Sequence, residues 1–222
     1  MSNSFLYSIS PIDGRYKEKT KELEKYFSEF ALMRYRILVE VEYFISLLNT
    51  ISKINIFNED KISALRSIYN NFNEDDALRI KEIEKKTNHD VKSIEYFLRE
   101  KFDAIGLSQY KEFIHFGLTS QDINNTALPL LIKEAIYNIY YLELESIIKK
   151  LKELSEKWKD ITMLAHTHGQ PASPTKVGKE ICVFIERLEN QIKLLKTIPF
   201  CAKFGGATGN FNAHYVAYPE ID

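Results

Sequence analysis

The segment YYLELESIIKKLKELSEKW, residues 140–158, decides the fold class of this chain. Its apolar residues recur at the spacing of three and four positions that is typical of one face of an α-helix. They are Tyr140, Leu144, Ile147, Leu151, Leu154 and Trp158. Charged residues fill most of the positions between them, so the segment predicts a long amphipathic helix that packs through one face.

The same spacing recurs on both sides of this segment. Downstream, a second stripe ends before Pro199, which cannot continue a helix; it consists of Val177, Ile181, Phe184, Leu188, Ile192 and Leu195. Upstream, a third stripe predicts a helix of about seven turns. It consists of Leu23, Phe27, Phe30, Ile37, Val41, Phe44 and Leu48. Shorter helices are expected after the N-cap residues Asn58 and Asn73 and along Val91, Ile94 and Phe97, and Gly106 breaks this series.

These patterns predict an all-α fold with two domains. We place the boundary near residues 109–111, so that a small helical N-terminal domain, residues 1–110, precedes the first part of a long-helix bundle, residues 111–222. Strand signals are confined to residues 204–215, where three glycines predict a short hairpin or an irregular turn between two helices. Only two long bundle helices are present and a new start signal, Tyr218-Pro219, precedes the last residue, so we expect a truncated chain.

Composition excludes several classes of protein. Of the 222 residues, 27% are charged and 45% hydrophobic, and the formal net charge is −1. This balance gives no broad attraction to nucleic acid or to a membrane surface, so any anion-binding site must be local. No uncharged apolar run approaches the roughly 20 residues that span a bilayer, and the N-terminus lacks the features of a signal peptide. We therefore expect a cytoplasmic protein.

The loop THGQPASP, residues 167–174, carries an ionisable imidazole between two predicted helices. Ser173 is expected to cap the following helix and Pro174 to occupy its first turn. The free N–H groups of a helix start attract anions, so His168 is a candidate proton donor beside an anion site. A metal site with His166 is rejected, because no cysteine or carboxylate pattern completes the ligand set.

Three other polar clusters lie at predicted helix ends. In SPIDGRY, residues 10–16, the turn interpretation is preferred, although Arg15 has the geometry to bind a phosphate or carboxylate. In TNHD, residues 87–90, a helix break capped by the aspartate explains all residues except His89, which could hold an anion or shuttle a proton. These two interpretations of His89 stay open.

The third cluster joins His115 to the sequence TSQD at residues 119–122. Asp122 follows Thr119 by three residues, which is the spacing of a capping box. The exposed N–H groups and the hydroxyls of Thr119 and Ser120 also suit a carboxylate, so both roles can coexist. His214, after the predicted hairpin, is interpreted as structural.

These four clusters, in this order and spacing, resemble those of the adenylosuccinate lyases, a family of the all-helical fumarase and aspartase superfamily. The matching blocks are SPIDGRY at 10–16, TNHDV at 87–91, FIHFGLTSQDINN at 113–125 and THGQPA at 167–172. The resemblance runs from end to end of the 222 residues, which correspond to about the N-terminal half of a family member.

The resemblance implies a β-elimination that releases fumarate from adenylosuccinate or from the related succinyl-carboxamide ribotide. It implies no metal or organic cofactor and a homotetramer whose sites combine several subunits, while the composition leads us to expect no nucleic-acid partner and no membrane. By resemblance, His168 is the general acid, and Arg15 and Tyr16 contact the nucleotide. The remaining implied site residues are Asn88, His89 and Asp90 for substrate binding, Thr119 and Ser120 for the carboxylates, and His115 and Gln170 as auxiliary residues.

One departure from the family pattern matters. The family's base is a serine on a mobile loop with a Met-Pro-x-Lys-x-Asn-Pro run, and residues 1–222 contain no such segment. We therefore expect this chain alone to be inactive. Two alternatives stay open: a sister lyase that acts on argininosuccinate or fumarate, and a non-catalytic helical module that binds partner helices.

Overall fold

A computed structural model of the chain describes residues 4–52 and 57–221. Within these ranges the chain is built from α-helices with one two-stranded hairpin, so the predicted all-α class is confirmed. The α-helices and strands are α1 (Glu24–Phe27), α2 (Glu29–Ser52), α3 (Glu59–Asn70), α4 (Glu74–Thr87), α5 (Asp90–Ala104), α6 (Ser120–Ala135), α7 (Tyr141–Lys157), β1 (Thr162–Thr167), β2 (Gln170–Lys176), α8 (Val177–Thr197) and α9 (Asn212–Ala217). Short 3-10 segments cover Ser4–Tyr7, Lys17–Lys19, Lys21–Leu23 and Ser108–Phe113, and a π-helical turn covers Ile136–Tyr140.

The helix starts predicted at Asn58 and Asn73 agree with the structure. Asn58 accepts a hydrogen bond from the N–H of Lys61 at 3.0 Å, and Asn73 forms a reciprocal capping box with Asp76. The apolar stripe from Leu23 to Leu48 is divided by Ser28, whose Oγ accepts from the N–H of Ala31 at 3.1 Å. Its extended backbone separates α1 from α2, because a capping residue has non-helical dihedral angles.

The chain forms two compact units. Unit 1 comprises residues 1–134 and 201–222, and unit 2 comprises residues 135–200. The predicted domain boundary near residues 109–111 falls inside unit 1 and stays a prediction.

Unit 1 is organised around α2. Its apolar face packs into one core with side chains from α3, α4 and α5. From α2 and α5 this core receives Ile37, Val41, Phe44, Leu48, Ile94, Phe97, Leu98 and Phe102, all of them less than 3% exposed. Each such side chain stabilises the fold by about 1.5–3 kcal/mol through burial, so the helix ends of unit 1 stand on a rigid base.

Unit 2 consists of α7 and α8 packed antiparallel and joined by the hairpin. Near the end of α7, Ser155 donates its hydroxyl to the carbonyl of Gly178, at the start of α8, at 2.8 Å. Further along both helices, Lys152 pairs with Glu189 at 2.7 Å. The helices approach so closely at Gly178 that a Cβ there would lie 2.3 Å from the carbonyl oxygen of Ser155. Only glycine fits this contact.

The position of the hairpin differs from the prediction. Residues 204–215, predicted as a hairpin or an irregular turn, form a glycine turn and helix α9, whereas the strands are β1 and β2. The reason lies in the hydrogen bonds of the glycines. The N–H groups of Gly205 and Gly206 both donate to the carboxylate of Asp122, so a partner strand is not their acceptor.

None of the helices in residues 4–52 and 57–221 combines the length and the apolar character needed to cross a membrane.

Replacing Gly178 by alanine tests the packing of unit 2. We expect Gly178→Ala to lower the free energy of unfolding by about 1–3 kcal/mol, because backbone atoms of α7 must move to admit the methyl group. The steric cost of moving the backbone exceeds the gain of about 1 kcal/mol that alanine brings through its higher helix propensity. Urea denaturation measures the difference. Lys179→Ala, at the exposed neighbouring position, is the control and should lie within about 0.5 kcal/mol of the wild type. Equal stability of Gly178→Ala and wild type would contradict the close approach.

Candidate active site

Three polar side chains on α2 hold the motif segments of unit 1 in place. Arg36, Glu40 and Tyr43 follow each other at intervals of four and three residues and therefore share one face of the helix. We call them the polar row. Arg36 and Glu40 are only 7% and 1% exposed, and Tyr43 is half-buried. Buried polar groups need partners, and the members of the row find theirs in segments that are remote in sequence.

Arg36 connects the TNHD block to α6. Its Nη2 lies 2.6 Å from a carboxylate oxygen of Asp90, and its Nε donates to Oδ1 of Asn124 at 2.9 Å. Burial by itself would raise the pKa of Asp90, but the charge of Arg36 and hydrogen bonds outweigh it and lower the pKa. One guanidinium thus fixes the starts of α5 and α6 relative to each other.

Within the TNHD block, the histidine caps the helix. The Nδ1 of His89 accepts from the N–H of Lys92 at 3.1 Å, whereas Asp90 is the first residue of α5. The predicted cap by Asp90 is therefore wrong, because Asp90 is held by Arg36 instead. Asn88 ends α4 with a left-handed backbone, φ 51°, and its N–H donates to the carbonyl of Glu84. This sharp turn places His89 and Asp90 side by side.

The structure brings the TNHD and TSQD blocks into contact. The Nε2 of His89 lies 3.4 Å from Oγ of Ser120, the first residue of α6. Since Nδ1 of a neutral His89 is an acceptor, its proton is on Nε2, which then donates to Ser120. Both side chains stand at helix N-termini, where N–H groups attract anions.

Asp122 anchors the turn that precedes α6. Its carboxylate is fully buried and accepts from the N–H groups of Thr119 at 2.9 Å and of Gly205 and Gly206 at 3.1 Å each. The bond to Thr119 is one of the two bonds of the predicted capping box. Lys203 adds a salt bridge at 2.8 Å. Burial by itself would raise the pKa of Asp122, but the hydrogen bonds from Lys203, Thr119 and Gly205 lower it.

His115 is held by the second member of the polar row. Its Nδ1 lies 2.5 Å from Oε1 of Glu40, and its backbone is left-handed, φ 58°. The next residue, Phe116, accepts the hydroxyl of Tyr43 on its carbonyl at 2.5 Å. Tyr43 also lies 2.6 Å from Nε2 of His214, which agrees with a structural role for that residue. Two members of the row therefore fix the segment that leads to Thr119 and Ser120.

Arg15 and Tyr16 are exposed side chains on the turn before the first long helix. The turn is closed by backbone hydrogen bonds, including one from the N–H of Tyr16 to the carbonyl of Pro11 at 2.9 Å. This is the turn interpretation made from the sequence. Their predicted contacts with a nucleotide stay a prediction.

In unit 2, His168 occupies the tip of the hairpin. Thr167 pairs with Gln170, so His168 and Gly169 form a two-residue turn, and both have positive φ, 48° and 74°. His168 and Gln170 are exposed. A left-handed histidine in a tight turn between paired strands has a well-defined backbone, which suits a proton donor that must be placed accurately.

The predicted helix start beside His168 is wrong. Ser173 and Pro174 belong to strand β2, and α8 begins only at Val177, after Lys176, which provides no side-chain cap. Antiparallel pairing with β1 supplies backbone partners across this segment, so a helix does not begin there. The rigid support of His168 is a hairpin rather than a helix N-terminus.

The residues that the sequence did not identify are the members of the polar row. Arg36, Glu40 and Tyr43 lie within a helix whose apolar period dominates the pattern, and their partners are remote in sequence. A signal was nevertheless present, because Glu40 stands between Val39 and Val41 at a position where a carboxylate requires a partner.

Comparison with known proteins assigns the family. A family model described as lyase matches residues 14–221. The chain belongs to this lyase family. Adenylosuccinate lyase from Dictyostelium discoideum is 55% identical over 226 residues, which cover 98% of this chain and 48% of the relative. Adenylosuccinate lyase from Vibrio cholerae is 47% identical over 225 residues, which cover 100% and 49%. The resemblance inferred from the sequence blocks is confirmed, and the chain spans about half the length of these curated relatives.

A solved structure agrees with the fold of this lyase family member. The crystal structure of a fumarate lyase from Mesorhizobium sp. BNC1 superposes with a TM-score of 0.69 at 22% identity, over 88% of this chain and 44% of that one. At this identity the likeness concerns the fold alone.

Replacing Arg36 tests the link between the TNHD block and α6. We expect Arg36→Met to lower the free energy of unfolding by about 1–3 kcal/mol, since Asp90 and Asn124 lose their shared charged donor. The amide NMR signals of His89 and Ser120 should shift together. Arg66→Met is the matched control, because Arg66 pairs with Glu42 at the exposed surface, where such pairs contribute little. Unchanged His89 and Ser120 signals in Arg36→Met would contradict the link.

Replacing Asp122 tests the anchor of the TSQD turn through its pH dependence. At pH 7, Asp122→Asn should destabilise the fold by about 2 kcal/mol, because an amide cannot accept from all of these donors. The folded pKa of Asp122 is lowered, so its stabilisation is present above the unfolded value of about 3.9 and is lost as the pH falls through the lower folded value.

The measurement is a set of urea midpoints at descending pH for wild type, Asp122→Asn and Asp103→Asn. The difference between wild type and Asp122→Asn should shrink in strong acid. Asp103 is an exposed partner of Lys111, and its variant should change stability much less. A difference for Asp122→Asn that grows with acidity would contradict the role of the ionised Asp122 carboxylate as an anchor.

Proposed function

We propose that the gene product to which this chain belongs is an adenylosuccinate lyase. It cleaves the bond between the purine-side nitrogen and the succinyl carbon of adenylosuccinate, releasing fumarate and leaving adenosine monophosphate. The succinyl-carboxamide ribotide would be cleaved in the same way. The observation that carries the proposal is the 55% and 47% identity, over 98% and 100% of this chain, with two relatives of that name.

The reaction needs an acid and a base. A base removes a carbon-bound proton beside a carboxylate, and an acid protonates the departing nitrogen. We assign the acid to His168, since its imidazole stands exposed at the tip of a tight hairpin and is not consumed by a buried contact. Gln170, the first residue of β2, would then flank the acid on the same turn.

Unit 1 supplies the binding groups in this proposal. The contact of His89 with Ser120 supports it, because two blocks that are 31 residues apart meet at two helix N-termini. Thr119, Ser120 and the adjacent N–H groups suit the succinyl carboxylates. Asn88, His89 and Asp90 would bind the substrate from the facing block, with His115 close by. Arg15 and Tyr16 would contact the nucleotide.

The proposed catalytic base and the proposed oligomer are inferred from the family resemblance alone. By resemblance, the base is a serine on a segment that residues 1–222 do not contain, and the enzyme is a cytoplasmic homotetramer whose sites combine several subunits. In such a tetramer, the binding groups of unit 1 and the acid of unit 2 in one site could come from different copies of the chain. On this proposal the 222-residue chain alone does not turn over substrate.

A substrate panel tests the proposed reaction. The full-length gene product is incubated separately with adenylosuccinate, the succinyl-carboxamide ribotide, argininosuccinate and fumarate, and products are separated by chromatography. We expect fumarate release from the first two substrates. Turnover of argininosuccinate or hydration of fumarate would instead identify a sister lyase, and no turnover of any member would favour a helical interaction module.

Two histidines on the same hairpin provide a matched test of the acid. In the full-length gene product, His168→Ala should reduce kcat for adenylosuccinate by roughly 100- to 10,000-fold, which is the usual contribution of a general acid. His166→Ala, at an exposed position two residues earlier, should retain kcat within a few-fold. Near-normal fumarate release by His168→Ala would refute the acid assignment.

A further inference from the structure

Glu40 carries a buried carboxyl group on helix α2. It lies between Val39 and Val41 and is 1% exposed. Moving a carboxylate out of water is costly, and well-packed apolar residues often serve stability equally well at such positions. The lyase reaction as proposed above assigns no task to Glu40. Packing alone therefore does not account for a carboxylate at this position.

The geometry around Glu40 is asymmetric. Its Oε1 lies 2.5 Å from Nδ1 of His115. Its Oε2 is buried and, within the described part of the chain, has no hydrogen-bond partner. His115 itself is 16% exposed in its side chain and adopts a left-handed backbone that is uncommon for residues other than glycine. The carboxyl group is thus directed at a single nitrogen of a ring whose other nitrogen, Nε2, it does not engage.

Other charges near His115 come from α5. Glu95 is 7% exposed and attracts a proton to His115, whereas Lys92 acts in the opposite direction. Glu95 is largely compensated on its own helix, because Lys92 lies 2.7 Å from one of its oxygens and Arg99 lies 3.7 Å from the other. Glu40 is therefore the dominant partner of His115.

We propose that Glu40 is a positioning residue that shares a proton with His115 and so keeps Nε2–H of His115 a hydrogen-bond donor towards an anionic oxygen of the substrate. The identity of that substrate rests on the proposed function. The sharing of the proton does not.

The proton balance of the pair explains the role. When the pair holds one dissociable proton between Nδ1 and Oε1, Nε2 carries its own hydrogen and donates. If the pair loses one proton, the proton that remains on the ring lies on Nδ1 and donates to the carboxylate, so Nε2 becomes an acceptor that repels an anion. Glu40 therefore sets the direction of the hydrogen bond that His115 offers.

The titration directions agree with this role. Burial raises the pKa of Glu40. Burial by itself would lower the pKa of His115, but the hydrogen bond and the charge of Glu40 outweigh it and raise the pKa. Both shifts favour retention of a proton by the pair, and the contribution of the pair to stability declines as the pH rises through the raised pKa of His115.

The direct test is an NMR titration of the histidines in this chain. The chain has five histidines, and a His115→Gln variant assigns the signal of His115. In the wild type, His115 should titrate above the ordinary value of about 6.5. In Glu40→Gln, its titration should move down by at least about one pH unit, a tenfold loss of proton affinity, because burial remains while the charge is gone.

Two further variants keep the test decisive. Glu42→Gln removes a carboxylate from the same helix that pairs with Arg66, and the His115 titration should stay at its wild-type position. Glu40→Asp keeps the charge at a greater distance and should give an intermediate titration. A wild-type His115 that titrates at or below about 6.5 overturns the proposal even if every Glu40 variant fails to fold. An unchanged His115 titration in folded Glu40→Gln overturns it as well.

Kinetics of the full-length gene product separate this inference from the proposed function. Glu40→Gln should raise KM about tenfold at pH 8, with a smaller effect at pH 6, where a larger fraction of His115 is protonated. Glu42→Gln should keep the wild-type KM at both pH values. If the wild type cleaves no adenylosuccinate, the proposed function fails while the NMR result stands. If it does, and Glu40→Gln has the wild-type KM at pH 8, the inference fails.

Discussion

The structure of unit 1 depends on one constraint: polar side chains buried along an apolar helix must each find a partner. Arg36 finds Asp90 and Asn124, Glu40 finds His115, and Tyr43 finds the carbonyl of Phe116. Because an unpartnered buried charge costs several kcal/mol, the segments that carry these partners are held in one arrangement. The apolar face of α2 builds the core, and its polar row positions the motif segments at the helix ends.

These contacts fix the positions of the short turns that carry the candidate site residues. The TNHD and TSQD blocks are turns between helices, and turns alone would place His89 and Ser120 loosely. Arg36 joins Asp90 of the TNHD block to helix α6, which begins in the TSQD block. Asp122 joins the TSQD block to the glycine turn at residues 205–206. In unit 2, the same requirement is met differently, since paired strands define the backbone of His168. A binding or catalytic group on such supports loses little entropy when it meets its ligand.

Local rules predicted the parts of this structure that local chemistry decides. Asn58 and Asn73 identified helix starts, and periodicity identified α2, α7 and α8, because caps and apolar stripes act within a few residues. The errors arose where remote partners decide. Ser173 and Pro174 look like a helix start but pair with β1, and the glycines near 205 look like a hairpin turn but donate to Asp122, more than 80 residues away. Glu40 escaped for the same reason, since its partner His115 is 75 residues distant.

On the proposed function, the polar segments held by α2 and the hairpin histidine would each contribute to sites for a succinyl-purine nucleotide in the assembled full-length protein. A crystal structure of the full-length gene product with adenosine monophosphate and fumarate bound tests it most directly. We predict that fumarate contacts Ser120 or Thr119 and that His168, from the same or another subunit, faces the purine amine. Ligands bound at a surface that includes neither His89, Ser120 nor His168 would contradict it.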